Sequence, residues 1–465
     1  MQKKRYHFLF LLTSLCLFVS CEKPDEPDTS ESNVPELTGS VPVNNTVISP
    51  QTEKVVFVFD DKIILIDRTK IKLNGNIVTQ VHAGNDSLYV QVKSLDENTD
   101  YHLIIEKNAI KAHPGKLNTD VFRLDFSTSE FPPEEITPTL AIKNPSPEAL
   151  RLYEFLKENY GRKIISGTVA NVSWNTNEAE WVHHHTGKYP ALNAFDYIFL
   201  FASPANWIDY SHTQVVEDWW ENRGMVSCMW HWNVPKRKGV NDYSFYTDET
   251  DFDIREALKP GTAENEIVMS DLQKITNYLL LLKNKNIPVL WRPLHEAKGN
   301  LGKYPGGGAW FWWGAKGSES FKILWRLMFN HFETNGLNNL IWVWTSESDD
   351  EEWYPGDEYV DIIGRDMYNL TEVAGMLAEF NKLKNSYPDK IITLSECGNI
   401  AQIPAQWNVG ATWSWFMSWY DYERTVNPNS NAFNSENHQH LSISFWKNAF
   451  SDERVISRDK MPDLK

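Results

Sequence analysis

The chain has 465 residues, of which 42% are hydrophobic, so it is too long for one small domain and too apolar for a disordered protein. Its net charge of −17 excludes a basic surface for phosphates or an anionic bilayer, and we expect no nucleic-acid partner. Four cysteines cannot form a disulfide scaffold, and we expect Cys228 and Cys397 to be buried thiols.

Residues 1–20 have the pattern of a secretory leader, in which basic residues precede an apolar run too short to span a bilayer comfortably. The stretch that ends at Cys21 resembles a bacterial lipobox, which predicts that Cys21 is lipidated. Because Phe18 stands where lipoboxes usually carry Leu, cleavage nearby by an ordinary signal peptidase is the alternative. Residues 21–40 are rich in Asp, Glu, Pro and Ser and predict an acidic tether.

This leader and tether resemble those of lipoproteins displayed on the outer surface of bacteria. We therefore expect the protein to be held at the bacterial outer membrane and to face the cell exterior. The N-terminal lipid is the expected membrane contact, since the rest of the chain carries no basic patch for a membrane surface.

Residues 41–129 alternate apolar and polar positions with a period of two, which predicts a small all-β sandwich. Asn74 and Gly75 separate two of the runs and predict a type I′ hairpin turn, because both residues adopt positive φ readily. The segment resembles bacterial Ig-like domains found beside secreted enzymes. It contains no Trp, so a spacer role is favoured and carbohydrate binding is the alternative. Residues 130–145 are Pro-rich and predict a stiff linker.

Residues 146–455 alternate short apolar runs with longer amphipathic stretches, and all 20 Trp lie after residue 173. This alternation predicts an α/β domain, a closed (β/α)₈ TIM barrel of parallel strands. A doubly wound open sheet is the alternative, but no Gly-rich fingerprint follows the first run. The eight candidate strands are 163–167, 191–196, 225–231, 289–296, 340–344, 361–366, 391–396 and 411–415.

The working residues of such a barrel lie at the C-terminal ends of its strands. The fourth run ends at Glu296 and the seventh at Glu396, while the third ends at His231 and the sixth reaches Asp366. Two carboxylates about 5–5.5 Å apart suit glycoside cleavage with retention of configuration. The alternative is a set of buried ion pairs that involves Arg292.

Six ordered motifs over residues 146–450 resemble glycoside hydrolase family 26, which is best known for β-mannanases. The resemblance implies a (β/α)₈ hydrolase in which Glu296 is the acid/base and Glu396 the nucleophile. His231, His295 and Tyr368 match typical family positions and, together with Asp366, are expected to bind substrate. Tyr368 is also expected to touch the nucleophile. The motifs are WRPLHE (291–296), WFWWG (310–314), LWR (324–326), WYPGD (353–357), GRDMY (364–368) and LSECG (394–398).

The resemblance also implies that Trp310 and Trp415 stack on sugar rings, whose apolar C–H faces pack on flat indoles. Some relatives carry Arg directly after the Trp of strand eight, where this chain has Phe416. The loop over residues 299–308 is longer and richer in Gly than the family pattern and is expected on the leaving-group side of the cleft.

Other features are interpreted conservatively. The histidines at 183–185 point about 100° apart if helical and cannot converge on a metal. Glu347 and the acids at 349–352 lack the spacing of a calcium loop and favour a solvated acidic loop. The glycines at 306–308 precede aromatic residues and do not form a phosphate cradle. Cys397 is expected to be a packed thiol and not a nucleophile.

These observations favour a monomeric, retaining endo-β-1,4-mannanase that acts on mannan, galactomannan or glucomannan and needs no metal or other cofactor. Two alternatives remain open. One is a hydrolase of the same fold that acts on mixed-linkage β-glucan or β-1,3-xylan. The other is a surface lipoprotein that binds glycans without cleaving them, although binding alone would need neither glutamate.

Overall fold

The computed structural model describes residues 33–465 except 49, 51, 93–94, 130–135, 138, 172–173, 425–426 and 428. The chain divides into two compact units, residues 1–131 and 132–465. The predicted leader, Cys21 and most of the predicted tether lie outside the described residues. Within the described part, none of the helices combines the length and the apolar character that a membrane span requires.

The N-terminal unit is all-β, as its period-two pattern predicts, and its topology gives two main sheets that share one hydrophobic core. One sheet has the order β1-β3-β8-β7 and the other β2-β11-β9-β5-β6, with β10 and β4 as a separate pair. The strands are β1 Leu37–Val41, β2 Thr46–Ile48, β3 Lys54–Phe59, β4 Ile63–Leu65, β5 Ile71–Leu73, β6 Asn76–Ile77, β7 Val81–Gly84, β8 Ser87–Gln91, β9 Asp100–Ile105, β10 Ile110–Ala112 and β11 Phe122–Thr128.

Two details of this unit bear on the sequence predictions. Strand β1 begins at Leu37 and pairs antiparallel with β3, so the sandwich starts inside the segment predicted as tether. Asn74 and Gly75 both have positive φ, 47° and 83°, and join β5 to β6 as the hairpin signal predicts. The Ig-like relationship of the unit remains a prediction.

The second unit contains the predicted closed barrel of eight parallel strands, in the order β12-β13-β14-β17-β18-β19-β20-β21, and β21 pairs with β12 to close it. Strand β22 pairs in parallel with the first two residues of β12, Ile164 and Ile165, and β15 pairs antiparallel with β16. The strands are β12 Ile164–Val169, β13 Leu192–Asp196, β14 Met225–Trp230, β15 Val234–Pro235, β16 Tyr243–Ser244, β17 Val289–Pro293, β18 Leu340–Ser346, β19 Ile362–Tyr368, β20 Ile391–Gly398, β21 Trp415–Ser418 and β22 Val455–Ile456.

Helices connect most of the barrel strands. The first, α1, begins where Ser146 accepts a hydrogen bond from the Ala149 amide and Pro147 fixes the first helical φ. Between β18 and β19 the chain, described throughout, forms two single 3₁₀ turns instead of an α-helix. The helices are α1 Pro147–Asn159, α2 Asn177–Thr186, α3 Gln214–Glu221, α4 Ile254–Ala257, α5 Ala263–Lys283, α6 Ser318–Thr334, α7 Val373–Ser386, α8 Ile403–Asn408, α9 Asn431–Asn434 and α10 Ile443–Ser451.

The barrel unit extends beyond both predicted boundaries. Part of the predicted linker packs on the barrel, because Leu140 and Ile142 are buried in its core and the Ala141 amide donates to Asp361 Oδ1 at 2.6 Å. At the other end, β22 and Met461 are buried against the same core. The prediction of a linker over residues 130–145 is therefore wrong for its last residues, which pack against the barrel core.

Candidate active site

The side chains of three barrel strands meet at the carboxyl end of the barrel. Arg292 of β17 lies between Asp366 of β19 and Glu396 of β20, and all three side chains are at most 5% exposed. Arg292 donates to Asp366 Oδ2 at 3.0 Å and to Thr345 Oγ1 at 3.1 Å, and its other terminal nitrogen contacts Glu396 Oε1. Charges so deeply buried must be paired, and Arg292 pairs both carboxylates.

Glu396 receives two donors, one on each carboxylate oxygen. Arg292 contacts Oε1, and the Tyr368 hydroxyl donates to Oε2 at 2.9 Å. Burial raises the pKa of Glu396 to about 7, while Arg292 opposes the rise and Asp366 adds to it. The two donors hold the carboxylate in one orientation and favour its ionised form.

Asp366 has both oxygens engaged within the protein. One accepts from Arg292, and the other accepts from Ser395 Oγ at 2.7 Å. Asp366, which the sequence placed among the substrate-binding residues, therefore acts here as a positioning residue for Arg292, although it also lines the cleft.

Glu296 follows the end of β17 in a turn with unusual backbone geometry. Leu294 and Glu296 have φ values of 48° and 49°, a region that non-glycine residues enter at a cost and that is enriched at functional sites. Among the described residues, the Glu296 side chain has no hydrogen-bond partner. Burial raises the pKa of Glu296 well above its usual range, and the charges of Asp366, Glu347 and Glu396 raise it further.

The carboxylates of Glu296, Asp366 and Glu396 approach within 4.8 Å of one another. A trio of carboxylates could in principle hold a metal ion. Here, however, the guanidinium of Arg292 contacts two of the three and supplies the positive charge between them. The donor set is therefore already paired by a side chain, which does not fit a resident metal.

His231 and His295 form a second buried pair beside the carboxylates. Their Nε2 atoms are 3.2 Å apart, and Nδ1 of His231 lies 2.6 Å from Asp196 Oδ2 at the end of β13. Burial lowers the pKa of His295 well below its usual range, and the charge of Arg292 lowers it further. His295 is thus neutral at pH 7, and Asp196 fixes the orientation of the His231 ring.

A cleft of about 390 Å³ opens beside Glu296. Its lining includes Trp310 and Tyr368, together with Glu347 from the end of β18. Trp310 is partly buried and stacks on Phe311 with ring centroids 4.7 Å apart. The structure thus brings Trp310 to the same cleft as Glu296, as the sequence predicts.

Trp415 does not reach this cleft. It starts β21, pairs with Ile165 near the start of β12 and is 2% exposed, so it belongs to the core. The prediction of a stacking role for Trp415 is corrected because the eighth strand runs over residues 415–418 instead of 411–415. Phe416 is likewise buried and packs on Phe445 and Trp446, so it is not the position beside a sugar.

Trp419, and not Trp415, lies where the eighth strand ends. It directly follows β21, is half-buried, and its ring centroid lies 6.0 Å from that of His231. The next residue, Tyr420, stacks on it at 5.0 Å. These two rings form an aromatic wall at the carboxyl end of the barrel.

Two acidic residues, Asp196 and Glu347, lie at the carboxyl end of the barrel, which we call the barrel mouth, but are not among the predicted site residues. Asp196 ends the second apolar run of the sequence, as Glu296 and Glu396 end the fourth and seventh, so the same signal was available. Glu347 was interpreted as part of a solvated acidic loop, yet its side chain is only 24% exposed and lines the cleft. Asp350 of the same segment is also buried and accepts from Ser346 Oγ and the Glu347 amide.

The structure also describes the histidines at 183–185 and the two cysteines of the barrel unit. His183 stacks on Tyr189 and His185 Nε2 contacts the Phe433 carbonyl, so the helical histidines do not converge. Cys228 and Cys397 are buried free thiols, as expected. Burial raises the pKa of both thiols, which makes them poor nucleophiles.

Known proteins resemble this chain over the barrel and beyond. A mannan endo-1,4-beta-mannosidase of Thermothelomyces thermophilus is 36% identical over 304 residues, which cover 60% of this chain and 57% of that protein. Mannan endo-1,4-beta-mannosidase B of a Piromyces species is 29% identical over 437 residues, 91% of this chain and 71% of that protein. This chain thus spans less than two thirds of the Thermothelomyces relative.

Solved structures give the same family. The GH26 domain of an endo-beta-mannanase/endo-beta-glucanase from Prevotella bryantii is 38% identical, with a TM-score of 0.64, and the match covers 70% of this chain and 99% of that one. The family model described as glycosyl hydrolase family 26 matches residues 142–447, well over half of the chain, and includes both glutamates. The chain therefore belongs to glycosyl hydrolase family 26.

Proposed function

We propose that the protein is a retaining endo-β-1,4-mannanase. The observation that carries the proposal is the approach of the Glu296 and Glu396 carboxylates within 4.8 Å. This separation leaves no room for the water that an inverting glycosidase holds between its carboxyl groups, and it fits the pair of a retaining enzyme. The related mannan endo-1,4-beta-mannosidases support β-mannan as the substrate.

In the first step, Glu396 attacks the anomeric carbon as its carboxylate, and Glu296 protonates the leaving oxygen. Their surroundings suit these roles. Arg292 and Tyr368 hold the Glu396 carboxylate, whereas Glu296 lacks such donors and its pKa is raised further by neighbouring negative charges. Two glutamates in different environments thus divide the acid and nucleophile roles.

In the second step, Glu296 has lost its proton and serves as the base that activates water. Water then displaces Glu396 from the anomeric carbon, which restores both carboxyl groups and retains the β configuration. Trp419, beside His231, offers a flat face for the sugar that is attached to Glu396 during this step.

The test is a product analysis of the purified protein on mannan, mixed-linkage β-glucan and β-1,3-xylan, with proton NMR of the first product formed. We expect mixed manno-oligosaccharides, released first as β anomers. Products from glucan or xylan alone would contradict the proposed substrate, and α anomers would contradict retention.

We further propose that a lipid on Cys21 anchors the protein at the bacterial outer membrane and that the N-terminal unit is an Ig-like spacer. The leader and the acidic tether of the sequence support this proposal. Cys21→Ser should move the protein from the detergent phase to the aqueous phase, whereas the control Cys16→Ser should not. A wild-type protein that partitions wholly into water would contradict the anchor.

A further inference from the structure

The acidic residue Glu347 has no role in the two-step reaction, yet it lies beside Glu296. The two residues follow the ends of neighbouring barrel strands, β17 and β18, and line the same cleft. Glu396 is not among the residues that line this cleft, whereas Glu296, the proposed proton donor to the leaving oxygen, is. The cleft therefore lies on the leaving-group side of the bond to be cleaved.

The carboxylate of Glu347 is buried without a full set of partners. Its nearest cation is Arg365 Nη1, at 3.6 Å, which is longer than a hydrogen bond. Arg365 instead donates to Glu379 Oε2 at 3.2 Å and to the Ser346 carbonyl at 3.3 Å. Among the described residues, none donates a hydrogen bond to the Glu347 side chain.

A buried carboxylate that lacks donors is costly, and this cost raises the pKa of Glu347 to about 7 against the attraction of Arg365. A ligand whose hydroxyl groups donate to Glu347 would reduce this cost of burial. Trp310 lines the same cleft and offers a flat apolar ring. A sugar ring needs both features, because one face carries C–H groups and its edge carries hydroxyls.

On the basis of the proposed mannanase function, we propose that Glu347 binds a hydroxyl of the sugar just beyond the cleaved bond and so fixes the leaving-group sugar against Trp310. The same contact would hold an incoming sugar acceptor when the covalent intermediate is attacked by a sugar instead of water. Glu347 would therefore favour transfer to sugars over hydrolysis.

The experiment measures how one intermediate divides between water and a sugar. An aryl β-mannobioside forms the glycosyl-enzyme, and added mannobiose competes with water for it. The ratio of transfer product to hydrolysis product is read by chromatography. Both attacks require Glu296 as base, so any effect of Glu347 on Glu296 cancels in this ratio, as does a loss of folded enzyme.

We expect Glu347→Gln to lower the ratio about tenfold at equal acceptor concentration, since one charge-assisted hydrogen bond is lost. The matched control is Glu352→Gln, an exposed glutamate of the same segment, which should leave the ratio unchanged. An unchanged ratio in Glu347→Gln would overturn the proposal. If that variant does not fold, Glu347→Asp decides the question, because its shorter carboxylate cannot reach the same hydroxyl. A wild-type protein inactive on both mannan and the aryl substrate would instead contradict the proposed function.

Discussion

The two units of the chain differ in which polar side chains they bury. Among the described residues of the N-terminal unit, the buried polar side chains are Ser87, Asn118 and Thr128, and none is charged. The barrel mouth buries Arg292, Asp366 and Glu396 in one network at 5% exposure or less. Buried charge rarely adds stability, so a network in which one guanidinium lies between two carboxylates at the strand ends marks the place where the chemistry is expected.

If the buried charges of the barrel mouth perform the chemistry, replacement of Glu396 should have the largest effect on activity. Glu396→Ala deletes the proposed nucleophile and should lower kcat/KM on mannan by on the order of 10⁴-fold or more. Activated aryl substrates should fail as well, because no covalent intermediate forms. Added azide can occupy the vacated space and should yield the inverted α-glycosyl azide, identified by proton NMR. Mannan hydrolysis at the wild-type rate would remove the hydrolase proposal.

Removal of Glu296 should have the next largest effect, and one that depends on the leaving group. Glu296→Ala should lower activity on mannan by about 10²–10⁴-fold, because a poor leaving group needs its proton. An aryl mannoside should still form the intermediate, but its hydrolysis should be slow because no base activates the water. Azide needs no base and should restore turnover with a β-glycosyl azide as product. If the two variants exchanged their azide products, the two roles would be reversed.

The hydrogen bond from Tyr368 to Glu396 predicts how the pH dependence of activity will change when Tyr368 is replaced. Tyr368 donates to the Glu396 carboxylate, so Tyr368→Phe removes a bond that favours the charged form, and the pKa of Glu396 should rise. Because the carboxylate is the reactive form, the acidic limb of the kcat/KM profile should move to higher pH by about one unit. The control Tyr354→Phe removes a similar hydroxyl donor from Asp357 and should leave that limb in place. A Tyr368→Phe profile that coincides with the wild-type profile would contradict this role.

Much of the barrel mouth was predictable, because a carboxylate at the end of an apolar run is conspicuous in the sequence. Glu296 and Glu396 were found in this way. The eighth strand was misplaced because residues 411–420 contain four aromatic side chains of tryptophan or tyrosine type and no charge to mark the strand end. Glu347 was missed for a different reason, since most of the acids that follow it, Asp349, Glu351 and Glu352, are exposed, and only its position after β18 turns it toward the cleft.

The corrected eighth strand leads to a prediction that separates Trp419 from Trp415. Trp419→Ala should weaken mannan binding, with KM raised about tenfold and the melting temperature nearly unchanged, because it removes a stacking surface at the mouth. Trp415→Ala removes a buried core side chain and should instead cost about 3–5 kcal/mol of unfolding free energy. Kinetics and thermal unfolding of both variants provide the measurement. The opposite assignment of effects would restore Trp415 as the sugar platform.

The smallest effect on activity is expected from the N-terminal unit, even when its fully buried Asn118 is replaced. Asn118 is fully buried: its Oδ1 accepts from the amides of Ala109 and Ile110, and its Nδ2 donates to the carbonyls of Glu106 and Asp120.

Asn118→Ala leaves these backbone groups unpaired and should cost this unit about 2–3 kcal/mol of unfolding free energy. All residues of the mouth belong to the barrel, so kcat/KM on mannan should stay within about twofold of wild type. The matched variant is Asn339→Ala, which removes a buried donor to the Ile287 carbonyl in the barrel and should lower the temperature at which activity is lost. Hydrogen exchange resolved by segment, together with activity after heating, distinguishes the two. If Asn118→Ala lowered the inactivation temperature as much as Asn339→Ala does, the N-terminal unit would contribute to the stability of the catalytic site and could not be only a spacer.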